Sequence, residues 1–91
     1  MPPDTNKVEY GILRNAEYVT EPLNKISPSY KQEIENVILQ LQYNPHPPGA
    51  TKYIEGKPPV YRLTASHPYY IEYAVDEKKT MVMVLSIAQS P

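Results

Sequence analysis

A chain of 91 residues, 41% of them hydrophobic and 21% charged, holds enough for one small globular domain spanning residues 1–91. No apolar run approaches the roughly 20 residues that a transmembrane helix requires. Nine Lys and Arg against ten Asp and Glu leave a formal net charge of −1, so the basic surplus typical of proteins that grip nucleic acid by counterion release is missing, and any such contact must use a local patch.

The chain has no cysteine, which excludes disulfides, thiolate catalysis and Cys-type zinc sites. The N-terminus, MPPDTNKVEY, has neither a basic start nor an apolar core of the secretory kind, and both features fit a cytoplasmic location with no membrane partner. A domain of this size buries only a modest share of its surface, so a protein partner that covers part of it is a natural expectation.

Residues 1–6 are polar and Pro-rich and are expected to fray. Val8, Tyr10 and Ile12 alternate with Glu9 and Gly11, the period of a first strand running to Arg14. In NAEYVTEPLNKIS, Ala16, Val19, Leu23 and Ile26 recur at helical spacing, and Pro22 makes this helix short or kinked unless it falls in a first turn. Ser27 followed by Pro28 reads as an N-cap and a first-turn proline. Tyr30, Ile34, Val37, Ile38 and Leu41 then mark the apolar face of an amphipathic helix ending near Tyr43, and NPHPPG stops it.

Beyond this loop the period changes to two. Tyr61, Leu63 and Ala65 alternate with Arg62 and Thr64; Tyr69, Ile71, Tyr73 and Val75 alternate with Tyr70, Glu72 and Ala74; Met81, Met83, Leu85 and Ile87 alternate with Val82, Val84, Ser86 and Ala88. The short links SHP and DEKK predict hairpins. The expected fold is α+β, two helices packed on a small antiparallel sheet in the order β-α-α-β-β-β, with the first strand at an edge or beside the last. Leu63, Ile71, Tyr73, Leu85 and Ile87 are expected to face the helices. Val82 and Val84 would then lie on the opposite side, giving the last strand two apolar faces and suggesting that a partner protein or a second copy of the chain, as a homodimer, covers one of them.

The order and wording of these segments carry a resemblance. A helix followed by QLQYNPHPPG, then TKYIEG, VYRL, YYIEYAVDEK and VMVLSIAQ resembles the RelE/ParE superfamily of toxin–antitoxin toxins, over most of the chain from about Tyr10 to Gln89. The resemblance implies a small cytoplasmic toxin neutralised by a cognate antitoxin. In the RelE branch it implies a translation inhibitor acting on the ribosome as an mRNA endonuclease (an mRNA interferase), and in the ParE branch a protein that binds DNA gyrase. A degenerate antitoxin-binding or dimerisation module is a third reading. The departures concern charge: Tyr70 stands where the family carries an arginine, Thr64 replaces a second basic position, and Gln89 and Ser90 stand where the last strand has basic residues.

Cleavage of RNA by its own 2′-hydroxyl needs a base, a cation at the phosphorane and an acid for the leaving oxygen. Arg62, Tyr70 and His67 are the catalytic candidates, and Lys52, Lys57 and Arg62 the RNA-binding ones. Glu72 on the adjacent strand offers Arg62 a cross-strand ion pair. An imidazole is a common proton-transfer group, and His67 supplies one, but it stands in a turn before Pro68. Tyr70 can stack a base. His46 in the proline-rich loop shows no partner. The spacing of the two histidines and Glu72 matches no metal motif, and no metal or cofactor is expected. With no Phe or Trp in the chain, Tyr10, Tyr61, Tyr69 and Tyr73 are expected to supply the large buried or half-buried rings.

Overall fold

The structure is a computed structural model and describes residues 8–90; the expected frayed segment, residues 1–6, lies outside the described residues. In chain order these form β1 (Gly11–Arg14), a π-helical turn (Ala16–Thr20) that runs into α1 (Glu21–Leu23), α2 (Pro28–Gln40), β2 (Thr51–Ile54), β3 (Val60–Ser66), β4 (Tyr69–Asp76) and β5 (Met81–Gln89).

Pro22 explains the first helical segment. It has no N–H to give to a preceding carbonyl, and the turn before it is widened: Val19 and Thr20 both donate to the Asn15 carbonyl at 2.9 and 3.2 Å, and Glu21 donates to that of Ala16. Pro22 thereby falls in the first turn of α1, where the missing donor costs little. Asn15 Oδ1 accepts from the Tyr18 N–H at 2.8 Å, closing the N-terminus. In α2, Pro28 occupies the first turn, and Ser27 is the N-cap residue without a side-chain cap bond. Regular helix ends at Gln40 rather than near Tyr43, and tighter turns carry the chain on: Gln42 donates to the Leu39 carbonyl and Tyr43 to that of Gln40.

The sheet has five strands in the order β1-β5-β4-β3-β2. Three neighbouring pairs are antiparallel, and β1 lies at an edge beside β5 but pairs with it in parallel. This corrects the expectation of a wholly antiparallel sheet: after β1 the helices carry the chain across the sheet, and the meander brings β5 back in the direction of β1. The strand at the other edge, β2, is an addition to the expected order; TKYI is too short, between a Pro-Gly loop and a Gly-Lys-Pro-Pro turn, to carry a clear period.

The helices cover one sheet face. Val19, Leu23, Ile34, Ile38 and Leu41 pack with Ile71, Tyr73, Val75, Val82 and Val84, with Tyr10, Ile12, Val37, Tyr61, Leu63, Tyr69 and Ile87 half-buried around them. Here β5 departs from the expected register. Val82 pairs with Val75 and Val84 with Tyr73, so Val82 and Val84 face the helices, and Met81 and Met83 face away. Between Tyr73 and Glu72 the pairing shifts by one residue, after which Ser86 opposes Glu72 and Ile87 opposes Ile71. Leu85 is the extra residue of this β-bulge and is 37% exposed, so it is not a core residue. With apolar side chains on both sides, β5 gave alternation no means to choose a face.

Candidate nucleic-acid interface

The face turned away from the helices carries a row of three polar residues on neighbouring strands. Arg62 on β3 opposes Glu72 on β4, and Glu72 opposes Ser86 on β5. Arg62 donates to Glu72 Oε2 from Nη2 at 2.9 Å and from Nε at 3.3 Å, while Ser86 Oγ donates to Oε1 at 2.7 Å. The bulge makes this possible, because regular pairing from Val84 onward would set Leu85 opposite Glu72 and leave the carboxylate without a hydroxyl.

Two tyrosines complete the cluster. The Arg62 guanidinium carbon lies 3.6 Å from the ring centroid of Tyr53 on β2 and 4.5 Å from that of Tyr70 on β4. The Glu72 hydrogen bond, with smaller contributions from the charges of Tyr70, Tyr53 and Glu72, holds the guanidinium above its ordinary pKa despite opposing desolvation. Arg62 is a permanent cation, with side-chain exposure of 34% against 21% for Glu72.

The site is an open face, not a pocket. A cleft on the helix side, lined by Glu17, Glu21, Lys25, Ile26, Tyr69 and Ile87, includes none of Arg62, Glu72, Tyr53 and Ser86. A half-buried guanidinium with donors to spare, flanked by aromatic faces, can bond a phosphate and stack bases, and an open face admits a strand of polymer.

Of the residues singled out from sequence, Arg62, its expected ion-pair partner Glu72 and Tyr70 are brought together, and His67, Lys52 and Lys57 are not. His67 is exposed in the β3–β4 turn, at the opposite end of β3 from the hairpin that carries Lys57. Lys57 lines a cleft with Pro58, Val75 and Lys78 at that far end. Lys52 opposes Tyr61, not Arg62, and its ammonium lies 3.7 Å from Glu55. The Ser90 N–H donates to the Pro68 carbonyl at 2.8 Å, which ties the end of β5 to the turn that carries His67. Tyr53 and Ser86 were missed: one stands on the unrecognised strand, the other is aligned by the bulge.

His46, expected to stand without a partner, has one. Its Nε2 lies 2.8 Å from Glu77 Oε2, its ring meets that of Tyr61 edge-on at 5.4 Å, and Glu77 Oε1 also accepts from the Tyr10 hydroxyl. The Tyr10 bond first, and His46 second, hold the Glu77 carboxyl below its usual range, and the same bond raises the Tyr10 hydroxyl. This network joins the approach to β1, the proline-rich loop and the β4–β5 turn. Among the described residues, no group of three or more His, Cys, Asp or Glu side chains is placed to hold a metal.

Two N-terminal helical segments on one face of a mixed five-stranded sheet, with β1 parallel to β5, form the fold of the RelE toxins. The chain superposes with a TM-score of 0.79 on a chain of the archaeal RelE–RelB complex from Pyrococcus horikoshii, at 16% identity over 90% of this chain and 96% of that one. It matches the toxin–antitoxin complex RelBE2 from Mycobacterium tuberculosis at 0.74 and 16% identity, covering 90% and 92% of the two chains. The isolated E. coli RelE toxin gives 0.70 at 18% identity, over 90% and 85%. No protein-family profile matches the chain, and no curated protein matches it by sequence.

Proposed function

We propose that this protein is the toxin of a cytoplasmic toxin–antitoxin pair, that it inhibits translation by cutting mRNA on the ribosome, and that the RNA lies across the outer sheet face. The observation that carries the reading is the Arg62 cluster: a permanent cation over Tyr53 and Tyr70 on an open surface. Arg62 contacts the scissile phosphate and stabilises the charge that develops there, and the tyrosine rings stack the flanking bases. Lys57 and His67, at the two ends of β3, are accessory positions for RNA that runs along that strand, whereas Lys52 stands opposite Tyr61 on the other face.

The partner is an antitoxin. Leu13, paired with Met83 on the same outer face, is 55% exposed, and Leu85 at the bulge adds further apolar surface beside it. The likeness to the RelE chains solved with RelB supports this assignment.

Induced expression in a bacterial host, with growth and amino-acid incorporation followed for the wild type and Arg62→Ala, tests the reading. Arrest of both by the wild type, relieved by Arg62→Ala, is expected. Growth unaffected by the wild type would overturn it. A second reading has one observation in its favour: Glu72 already neutralises Arg62, as suits a protein that blocks its target by binding alone, in the ParE manner. Arrest that persists in Arg62→Ala would select it.

A further inference from the structure

The Arg62 cation is occupied by an anion of the protein's own sheet, and that anion is itself held from the other side. Glu72 Oε2 accepts from Arg62, and Oε1 accepts from Ser86. A carboxylate fixed at both oxygens in this way is oriented, and its position follows from the backbone register: the three residues form one transverse row, and the bulge after Val84 brings the hydroxyl into that row.

In RNA the 2′-hydroxyl is carried by the carbon next to the one that bears the 3′-phosphate. A base that removes its proton must therefore stand within about one hydrogen bond of the cation that holds that phosphate. On the outer face Glu72 meets this requirement, 2.9 Å from the guanidinium. Of the other acidic groups near this face, Asp76 lies opposite Met81, two transverse rows away, and Glu55 sits in the β2–β3 hairpin beside Lys52.

We propose that Glu72 is the general base of the cleavage and that Ser86 is its positioning residue; the proposal rests on the RNA-cleaving reading above. The incoming phosphate takes over the Arg62 N–H groups and frees Glu72 Oε2, while Ser86 keeps its bond to Oε1. The 2′-oxygen then forms a bond to phosphorus as its proton passes to Oε2. The P–O5′ bond breaks, and the 5′-oxygen leaves with a proton from solvent, giving a 2′,3′-cyclic phosphate and a 5′-hydroxyl end. Glu72 thus masks the cation in the free protein and serves the reaction once it is displaced.

Single-turnover cleavage of mRNA on programmed ribosomes, together with binding of the same complex carrying a 2′-O-methyl group at the scissile nucleotide, separates these roles. Glu72→Gln should slow cleavage by about 10²-fold or more and bind the uncleavable complex at least as tightly as the wild type, because the competing anion is gone. Ser86→Ala should lower the single-turnover cleavage rate with binding of the uncleavable complex unchanged, and Ser86→Thr, which restores a hydroxyl, should recover the rate. Cleavage by Glu72→Gln at the wild-type rate would overturn the assignment, and so would loss of binding and cleavage together. Equal cleavage by wild type and Ser86→Ala would remove Ser86 from it. Growth arrest by a wild type that leaves mRNA intact would also overturn it while the toxin reading stood; absence of both arrest and cleavage would end both.

Discussion

Ser86 rather than Leu85 lies opposite Glu72, and its hydroxyl donates to Glu72 Oε1 at 2.7 Å. One extra residue in β5 therefore does two things. It keeps Val82, Val84 and Ile87 on the helix side, and it delivers a hydroxyl to the polar row on the other side.

The two neighbours at the bulge should respond differently to truncation. Val84 is 1% exposed and packs among Tyr73 and the helices, so Val84→Ala should cost about 1.5–3 kcal/mol. Leu85→Ala, at the half-open bulge, should stay within about 0.5 kcal/mol of wild type. Urea denaturation checks both. A larger loss for Leu85 than for Val84 would contradict the register.

Much of this arrangement was legible in the residues. The period of Ile34, Ile38 and Leu41 marks α2, and the alternation in β3 and β4 sets Arg62, Tyr70 and Glu72 on one face and Ile71 and Tyr73 on the other. The Arg62–Glu72 pair follows from that alternation. What stayed hidden depends on pairing between distant segments: β2 is four residues long, and both parities of β5 are apolar, so only the partner strand selects the register. Tyr53 and Ser86 enter the cluster through those two features, and the His46–Glu77 pair spans 31 residues of sequence.

Alkali should expose the buried Tyr73. Its ring is fully buried, its hydroxyl donates to the Pro45 carbonyl at 2.8 Å, and burial chiefly, with Tyr61 second, pushes its pKa up to about 12. The folded protein holds this proton more tightly than the unfolded chain. Its contribution to stability is complete below pH 10 and is lost between about pH 10 and 12, at up to roughly 1.4 kcal/mol per pH unit. Tyr73→Phe should flatten this part of the stability profile and, by stranding a buried carbonyl, cost about 1–3 kcal/mol at neutral pH. An unchanged alkaline limb in Tyr73→Phe would show that other groups carry it.

Acid should act on Glu77 with the opposite sign. Tyr10 and His46 hold its folded pKa below the unfolded value, so its contribution is present above the ordinary carboxylate range and fades as pH falls through the lowered folded value. The effect is small because the Glu77 side chain is 58% exposed. Glu77→Gln should reduce the acid-side slope of the melting temperature; an unaltered acid slope would count against the network.

Restoring charge should be informative. Tyr70 stands where the RelE/ParE pattern has an arginine, and its ring lies 4.5 Å from the Arg62 guanidinium. Tyr70→Arg should strengthen binding of single-stranded RNA and steepen its salt dependence by about one unit in log–log slope. An unchanged slope, measured by fluorescence anisotropy, would indicate that RNA does not cross this row.

If Arg62 on the outer sheet face acts on mRNA, the cut ends that the wild type leaves should depend on its guanidinium, and mapping the 5′ ends of cellular mRNA after induction of wild type and Arg62→Ala reads this out. New ends within translated regions in the wild type, reduced by about 10²-fold in Arg62→Ala with the fold intact, are predicted. Identical end profiles from the two proteins would show that Arg62 takes no part in cleavage.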